Sequence, residues 1–263
     1  MPTLALPVDP PALVFLAAVF LFGSVINGLL GFGLALVAVN AMATVIDVKV
    51  GILTLSVIAP FLSSSQLRHN WAYFHSWSRL RSLTLGAIVG TVFGAQLLVY
   101  LPTWVIGLAL GLFTVQFTID RLRRERPAVA KSTEQRLAPV AGFIGGTTNS
   151  ALGASGPIFG SYLYAIGLSG REFAFGISVV FFIQALVRVG SFAALGQFNE
   201  FIMSMAFVLF WPSVAGQYIG QALQGRVDPK LFQRILLVLL LVSSANLMIQ
   251  GVRGMLAAFG IST

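Results

Sequence analysis

The stretch Asn27-Gly28-Leu29-Leu30-Gly31-Phe32-Gly33 lies inside residues 10–46, a run without one charged side chain. As a single helix that run would be about 55 Å long at roughly 1.5 Å per residue. The hydrocarbon core of a bilayer is only about 30 Å thick. Tilt alone does not absorb the excess, so the run is two elements or extends well beyond the core. The break falls naturally at Asn27 to Gly33, because glycine is a poor interior helix residue and asparagine competes for backbone hydrogen bonds. The pattern returns as Asn149-Ser150-Ala151-Leu152-Gly153-Ala154-Ser155-Gly156, 122 positions later. At that offset Gly23 matches Gly145, Asn27 matches Asn149, Leu30 matches Leu152, Gly31 matches Gly153 and Ala43 matches Ala165. Lys49 meets Arg171, Val92 meets Val214 and Gly94 meets Gly216; a five-residue insertion then brings Pro102 onto Pro229. The chain reads as a duplication in which each copy opens with a broken apolar segment.

Composition sets the class. Of the 263 residues 57% are hydrophobic and 9% are charged, where a soluble domain carries roughly 25% charged residues. The mean hydropathy is +0.91. Long continuous apolar runs, rather than alternating segments of about ten residues, argue for helices and against an outer-membrane barrel. No cleavable signal is expected, since the first Lys or Arg is Lys49 and a signal peptide opens with positive charge. The chain has no cysteine, so thiol and disulfide chemistry are excluded. The net charge of +8 is placed between apolar runs, as in cytoplasmic loops of membrane proteins; nucleic acid is not an expected partner.

Spans are expected at 50–67, at 82–119 folded in two at Tyr100-Leu101-Pro102, at 137–170 broken around Asn149 to Pro157, and at 173–196, 201–224 and 231–252. A polar, aromatic connector with Arg68, His69, Trp71, Tyr73, His75, Trp77, Arg79 and Arg81 follows the second span. The most basic segment, 121–136, joins a first repeat, 1–120, to a second, 137–263, and is assigned to the cytoplasm. If each broken segment crosses once, eight spans result and the copies are parallel. If each is a hairpin, the copies are inverted, and Arg171, Arg226, Lys230 and Arg234 fall inside while the uncharged turn 197–199 falls outside. The inverted arrangement satisfies the excess of positive charge on the inside better, at the cost of Arg253 outside. The fold class is therefore an all-α polytopic membrane protein of two homologous four-segment repeats, inverted on the charge distribution.

Inverted repeats with broken helices are a recurrent plan of secondary transporters, with substrate near the midplane. A half-helix starting inside the membrane points free N–H groups into such a site. Gly31, Gly33, Gly153, Ser155 and Gly156 would let backbone approach a ligand; Asn27, Asn149, Ser150 and Ser155 could donate hydrogen bonds. The other reading of such small residues is helix packing. All eight acidic residues lie at predicted ends or loops, whereas intramembrane proton relays and cation sites usually need carboxylates. The donor set therefore suits an anion, and neither metal nor cofactor is expected. Arg188 is the one charge inside a span. With Gln184 one turn earlier it could hold an oxyanion, or it could snorkel to the headgroups. Gln96 and Gln217, beside Gly94 and Gly216, are weaker candidates. His69 and His75 are read as interfacial.

These features resemble the sulfite exporter TauE/SafE family over nearly the whole chain. The resemblance rests on the size, the two four-segment halves, the Gly-rich broken openings and the basic central linker. The strongest local similarity is Gly153-Ala154-Ser155-Gly156-Pro157, like the Gly-rich stretch ending in Pro that opens the second half in that family. The first half departs from it: Gly31-Phe32-Gly33-Leu34 stands where members often carry consecutive glycines and then Pro. The resemblance implies an inner-membrane, multi-pass permease of a bacterial cell, usually an exporter, for sulfite, sulfoacetate, other organosulfonates or thiosulfate. The expected partners are a small anionic substrate and the lipid bilayer; a homodimer is left open. Two alternatives are weighed against export: thiosulfate or sulfate uptake by the same fold, and an intramembrane serine protease using Ser155 in a Gly-x-Ser-Gly pattern. The protease needs a histidine base in reach of the serine, and the two histidines precede it in an interfacial loop. A purely structural subunit would tolerate apolar residues at Asn27 and Asn149.

Overall fold

The computed structural model describes residues 8–123, 131–168, 170–224, 248–249, 251–253 and 255–256. The described part is helical, as it must be where a bilayer offers backbone groups no hydrogen-bonding water. In order come α1 (Pro10–Leu30), α2 (Leu34–Val45), α3 (Val48–His69), a short 3-10 helix (Trp71–Ser76), α4 (Trp77–Tyr100), α5 (Thr103–Arg123), α6 (Lys131–Leu152), α7 (Gly156–Ala165), α8 (Gly170–Ala194) and α9 (Glu200–Leu223). Five of these, α1, α3, α8, α9 and the stretch Trp71–Tyr100, are long and apolar enough to cross a membrane.

Local sequence fixes most boundaries. Pro10 and Pro11 start α1, where a missing N–H costs nothing. Asp47 caps α3, its carboxylate accepting from Lys49 N at 2.7 Å. Asn199 caps α9 in the same way, accepting from Ile202 N at 2.9 Å. Pro102 disfavours helical backbone at Leu101, whose ψ is 144°, and so ends α4 where the fold at Tyr100 to Pro102 was expected. The expected polar connector is more structured than its composition implies: it folds as the 3-10 helix and the first turn of α4. The basic segment 121–136 contains the end of α5 and the start of α6. The expected last span, 231–252, lies mostly outside the described residues, as do Arg226, Lys230 and Arg234.

The breaks fall inside the expected stretches, at their glycines. Asn27 and Asn149 remain helical, and the chain leaves the helix at Gly31 and Gly153. Both glycines have left-handed backbone, φ 83° and φ 70°, a conformation that a Cβ disfavours. Each returns its N–H to the asparagine carbonyl four residues back, at 2.8 Å and 3.0 Å. After the break the chain reverses. A Cβ placed on Gly23 would lie 3.4 Å from Leu34 Cα, and one on Gly145 would meet the Phe159 ring. Thus α1–α2 and α6–α7 are helical hairpins with tips at 31–33 and 153–155.

The opening helix of each half packs against the fourth helix of the other half. Gly86, Gly90 and Gly94 of α4 face the carbonyls of Pro139, Phe143 and Thr147 on α6, and Gly142 and Gly146 of α6 face those of Leu83 and Ala87. On the far side Gly28 of α1 meets Gln217 and Gly220 of α9, and Gly216 meets Leu21 O. Small residues let membrane helices approach to backbone contact, where dispersion drives association in the absence of a hydrophobic difference between lipid and protein. α3 and α8 cross between these pairs and touch each other.

A Cβ at Gly90 would collide with Phe143 O, whereas one at Gly107 meets nothing within 4 Å among the described residues. Gly90→Leu is therefore expected to abolish the monodisperse peak in detergent size-exclusion chromatography, while Gly107→Ala leaves it intact; equal behaviour of the two would refute the tight α4–α6 contact.

Candidate functional site

The hairpin tips converge on one pocket. It is lined from the first half by Asn27, Phe32 and Gly33 at the first tip, by Leu34 to Leu36 of α2, and by Leu55, Ala59, Leu62 and Ser63 of α3. From the second half come Asn149, Gly153 to Gly156, Phe181, Ala185 and Arg188. The lining positions of α3 and α8 belong to their middle and later turns. The space open to the centres of water-sized molecules is about 70 Å³, several times the roughly 10–15 Å³ one water needs. A compact anion of a few heavy atoms fits.

Two short helices start at this pocket. α2 begins after Gly33 and α7 after Ser155, and neither has a side-chain cap. The first N–H groups of an uncapped helix lack partners and carry a partial positive charge. Leu34, Ala35 and Leu36, the first three residues of α2, line the pocket themselves.

The two asparagines are held in different ways. Asn149 Nδ2 donates to Gln184 Oε1 at 2.7 Å. Arg188 Nη1 donates to Asn149 O at 3.2 Å and to Asn149 Oδ1 at 3.4 Å. Arg188 is 4% exposed, which excludes snorkelling. No carboxylate pairs with it among the described residues. Its Nε, Gln184 Nε2 and Ser155 Oγ are buried without a protein partner. In the first half, Asn27 Nδ2 donates to Gln217 Oε1 at 2.9 Å. Gln217 Nε2 donates to Gln66 Oε1 at 2.7 Å, and Gln221 Nε2 reaches the same oxygen at 3.0 Å. Gln66 Nε2 closes the set on Gly28 O at 3.3 Å. The first tip is thus backed by a neutral amide network, drawn from α1, α3 and α9, that largely satisfies itself, whereas the second tip is backed by a full positive charge with donors left over.

Among the expected site residues, Asn27, Gly33, Asn149, Gly153, Ser155, Gly156 and Arg188 line the pocket. Gln184 and Gln217 stand behind the two asparagines. Gly31 packs on Ile177, and Ser150 is buried with its hydroxyl unpartnered. Gln96 is exposed. Gln66 and Gln221 escaped the sequence reading. The repeat offset marks Gln66, because Gln66 and Arg188 stand 122 positions apart; Gln221 follows Gln217 by one helical turn. Both histidines are exposed: His69 lies at the end of α3, and His75 lies 3.9 Å from Glu172 with its side chain 71% exposed. Glu172 in turn accepts from Ser76 Oγ.

A membrane chain whose described elements are all helices, with a pocket between two hairpin tips and a buried cation facing it, has the build of a permease. Residues 15–247 match the family described as Sulfite exporter TauE/SafE, and the chain belongs to that family. It is a family of membrane permeases for sulfite and related sulfur anions. No curated protein and no solved structure gives a match.

Replacing Gln66 by leucine leaves the Nε2 groups of Gln217 and Gln221 without their shared acceptor. The expected cost is about 1–2 kcal/mol of stability, at the scale of unsatisfied or lost hydrogen bonds in membrane interiors. It is measurable as a lowered unfolding midpoint in detergent; an unchanged midpoint would show that the network is not structural.

Proposed function

We propose that this protein exports a small sulfur oxyanion, sulfite or an organosulfonate such as sulfoacetate, across a bacterial inner membrane, and that the anion rests between the two hairpin tips. The observation that carries this reading is Arg188: a guanidinium buried among apolar helices, with no carboxylate beside it and with Nε unpartnered. An uncompensated charge inside a membrane is costly, and such residues mark ligand pathways by default. An anion supplies the missing partner. In this reading Arg188 provides the charge, and Asn149, oriented by Gln184, holds the guanidinium in place. Ser155 Oγ, the Gly156 N–H and the first N–H groups of α2 supply further donors without adding charge; Pro157 has no N–H, and Ile158 N donates to Ser155 O at 3.0 Å.

The hairpins support an inverted arrangement. If each enters and leaves on one side, α3, α4 and α5 leave an odd number of crossings between the two tips. The tips then reach the pocket from opposite faces, the geometry from which rocking of one bundle against the other gives alternating access. A negative-inside potential drives a monoanion outward by about 2.3 kcal/mol per 100 mV, so export requires no carboxylate relay. The serine-protease alternative loses its base: His69 and His75 are exposed, away from the buried Ser155.

Reconstituted into vesicles with an imposed potential, the protein is expected to move sulfite, and Arg188→Gln to reduce initial rates by about two orders of magnitude, the scale of losing one partner of a buried charge pair. Arg188→Lys is expected to retain an intermediate rate. Wild-type vesicles that pass no sulfur oxyanion under potential would overturn the proposal, as would an Arg188→Gln variant with undiminished rates.

A further inference from the structure

The polar groups of the pocket are not spread around it. The charge and the unpartnered side-chain donors come from the second half, Arg188 and Ser155 with Gln184 behind them, while the first half adds backbone N–H groups at the start of α2. The wall contributed by the first half is apolar in its side chains apart from Asn27 and Ser63, and Asn27 Nδ2 is already engaged with Gln217. Leu34, Leu36, Leu55 and Leu62 make up much of it.

Phe32 joins the two walls. It sits at the tip of the first hairpin and is 8% exposed. Its ring packs on Gly156, where an added Cβ would come within 2.6 Å of it. The apolar surface of Phe32 therefore begins one residue from Ser155, beside the start of α7. A bare inorganic oxyanion carries oxygens on every side. In this pocket those turned toward the Phe32 ring and the leucine side chains, rather than toward the start of α2, would lose water and gain no donor in exchange, which is costly. An anion with one oxyanion head and a short apolar tail meets donors at one end and Phe32 with the leucine wall at the other.

We propose that Phe32 is a specificity-determining residue, and that it fits the pocket to sulfur oxyanions bearing a short apolar substituent in preference to sulfite or sulfate. This rests on the reading that the pocket binds a sulfur oxyanion at Arg188, and adds the part of the ligand that Arg188 does not touch.

The test is calorimetric binding of sulfite, sulfate and methane-, ethane-, propane- and butanesulfonate to the full-length protein in detergent, compared among wild type, Phe32→Ala, Phe32→Leu and Arg188→Gln. In the wild type, affinity is expected to rise roughly fourfold per methylene as the tail is buried, and propanesulfonate to bind at least about tenfold tighter than sulfite on the same scale. Phe32→Ala is expected to flatten that gradient while changing methanesulfonate binding much less, and Phe32→Leu to keep most of it. A purely structural role for Phe32 would weaken all ligands together and leave the gradient intact. A flat gradient in the wild type overturns the proposal without recourse to any variant, as does an undiminished gradient in Phe32→Ala. If sulfite binds and Arg188→Gln abolishes it while tails add nothing, the tail preference alone falls. If no anion binds the wild type, the anion site falls and the preference with it.

Discussion

A guanidinium held in an apolar interior without a carboxylate beside it is the constraint on which this site turns. Arg188 is kept there by the backbone and side-chain oxygens of Asn149, on the last turn of a helix that must stop for a glycine four residues later. The carbonyl of Asn149 thus serves twice: it accepts from the Gly153 N–H that closes α6 and from the arginine that charges the pocket. Local helix termination and ligand chemistry are coupled through one oxygen atom. The corresponding carbonyl in the first half, that of Asn27, closes α1 on Gly31, while the side chain of Asn27 is taken by Gln217. The same backbone device recurs, and a different chemistry is hung on it.

That difference bears on how the two halves divide the work. The amide network of Asn27, Gln217, Gln66 and Gln221 links α1, α3 and α9 with neutral groups whose needs are mostly met within the protein. It can hold a tip in place at little electrostatic cost. The second half retains unpartnered donors and a charge, so it is the side that gains from a ligand. At the 122-residue offset the two positions carry different groups, glutamine at 66 and arginine at 188.

The fold was legible in the sequence because its signals are local and repeated. Charge-free runs set the spans, Pro102 set the turn after α4, and the shared Asn-x-x-x-Gly pattern marked both breaks. The sequence offers both asparagine and glycine as breakers within these stretches; in the structure asparagine stays helical and the left-handed glycine does the breaking. The tip residues that line the pocket were legible in the sequence; the residues behind them were less so. Gln66 and Gln221 reach Gln217, and through it Asn27, only because α9 returns to pack on α1, a pairing between residues far apart in the chain that no local pattern encodes. The burial of Arg188 was likewise undecidable from its position eight residues before the turn, because it depends on which face of α8 meets Asn149.

The exchange of partners between halves has a temporal side. Asn27 and its partner Gln217 are separated by 190 positions. At a synthesis rate of about 5–20 residues per second, α1 enters the membrane roughly 10–40 s before α9 exists to cover its small-residue face. During that interval Gly28 and the amide of Asn27 face lipid or the insertion machinery instead of their final neighbours. A nascent chain that ends before α9 therefore lacks the acceptor for Asn27 Nδ2 and the helix that covers Gly28 in the folded protein.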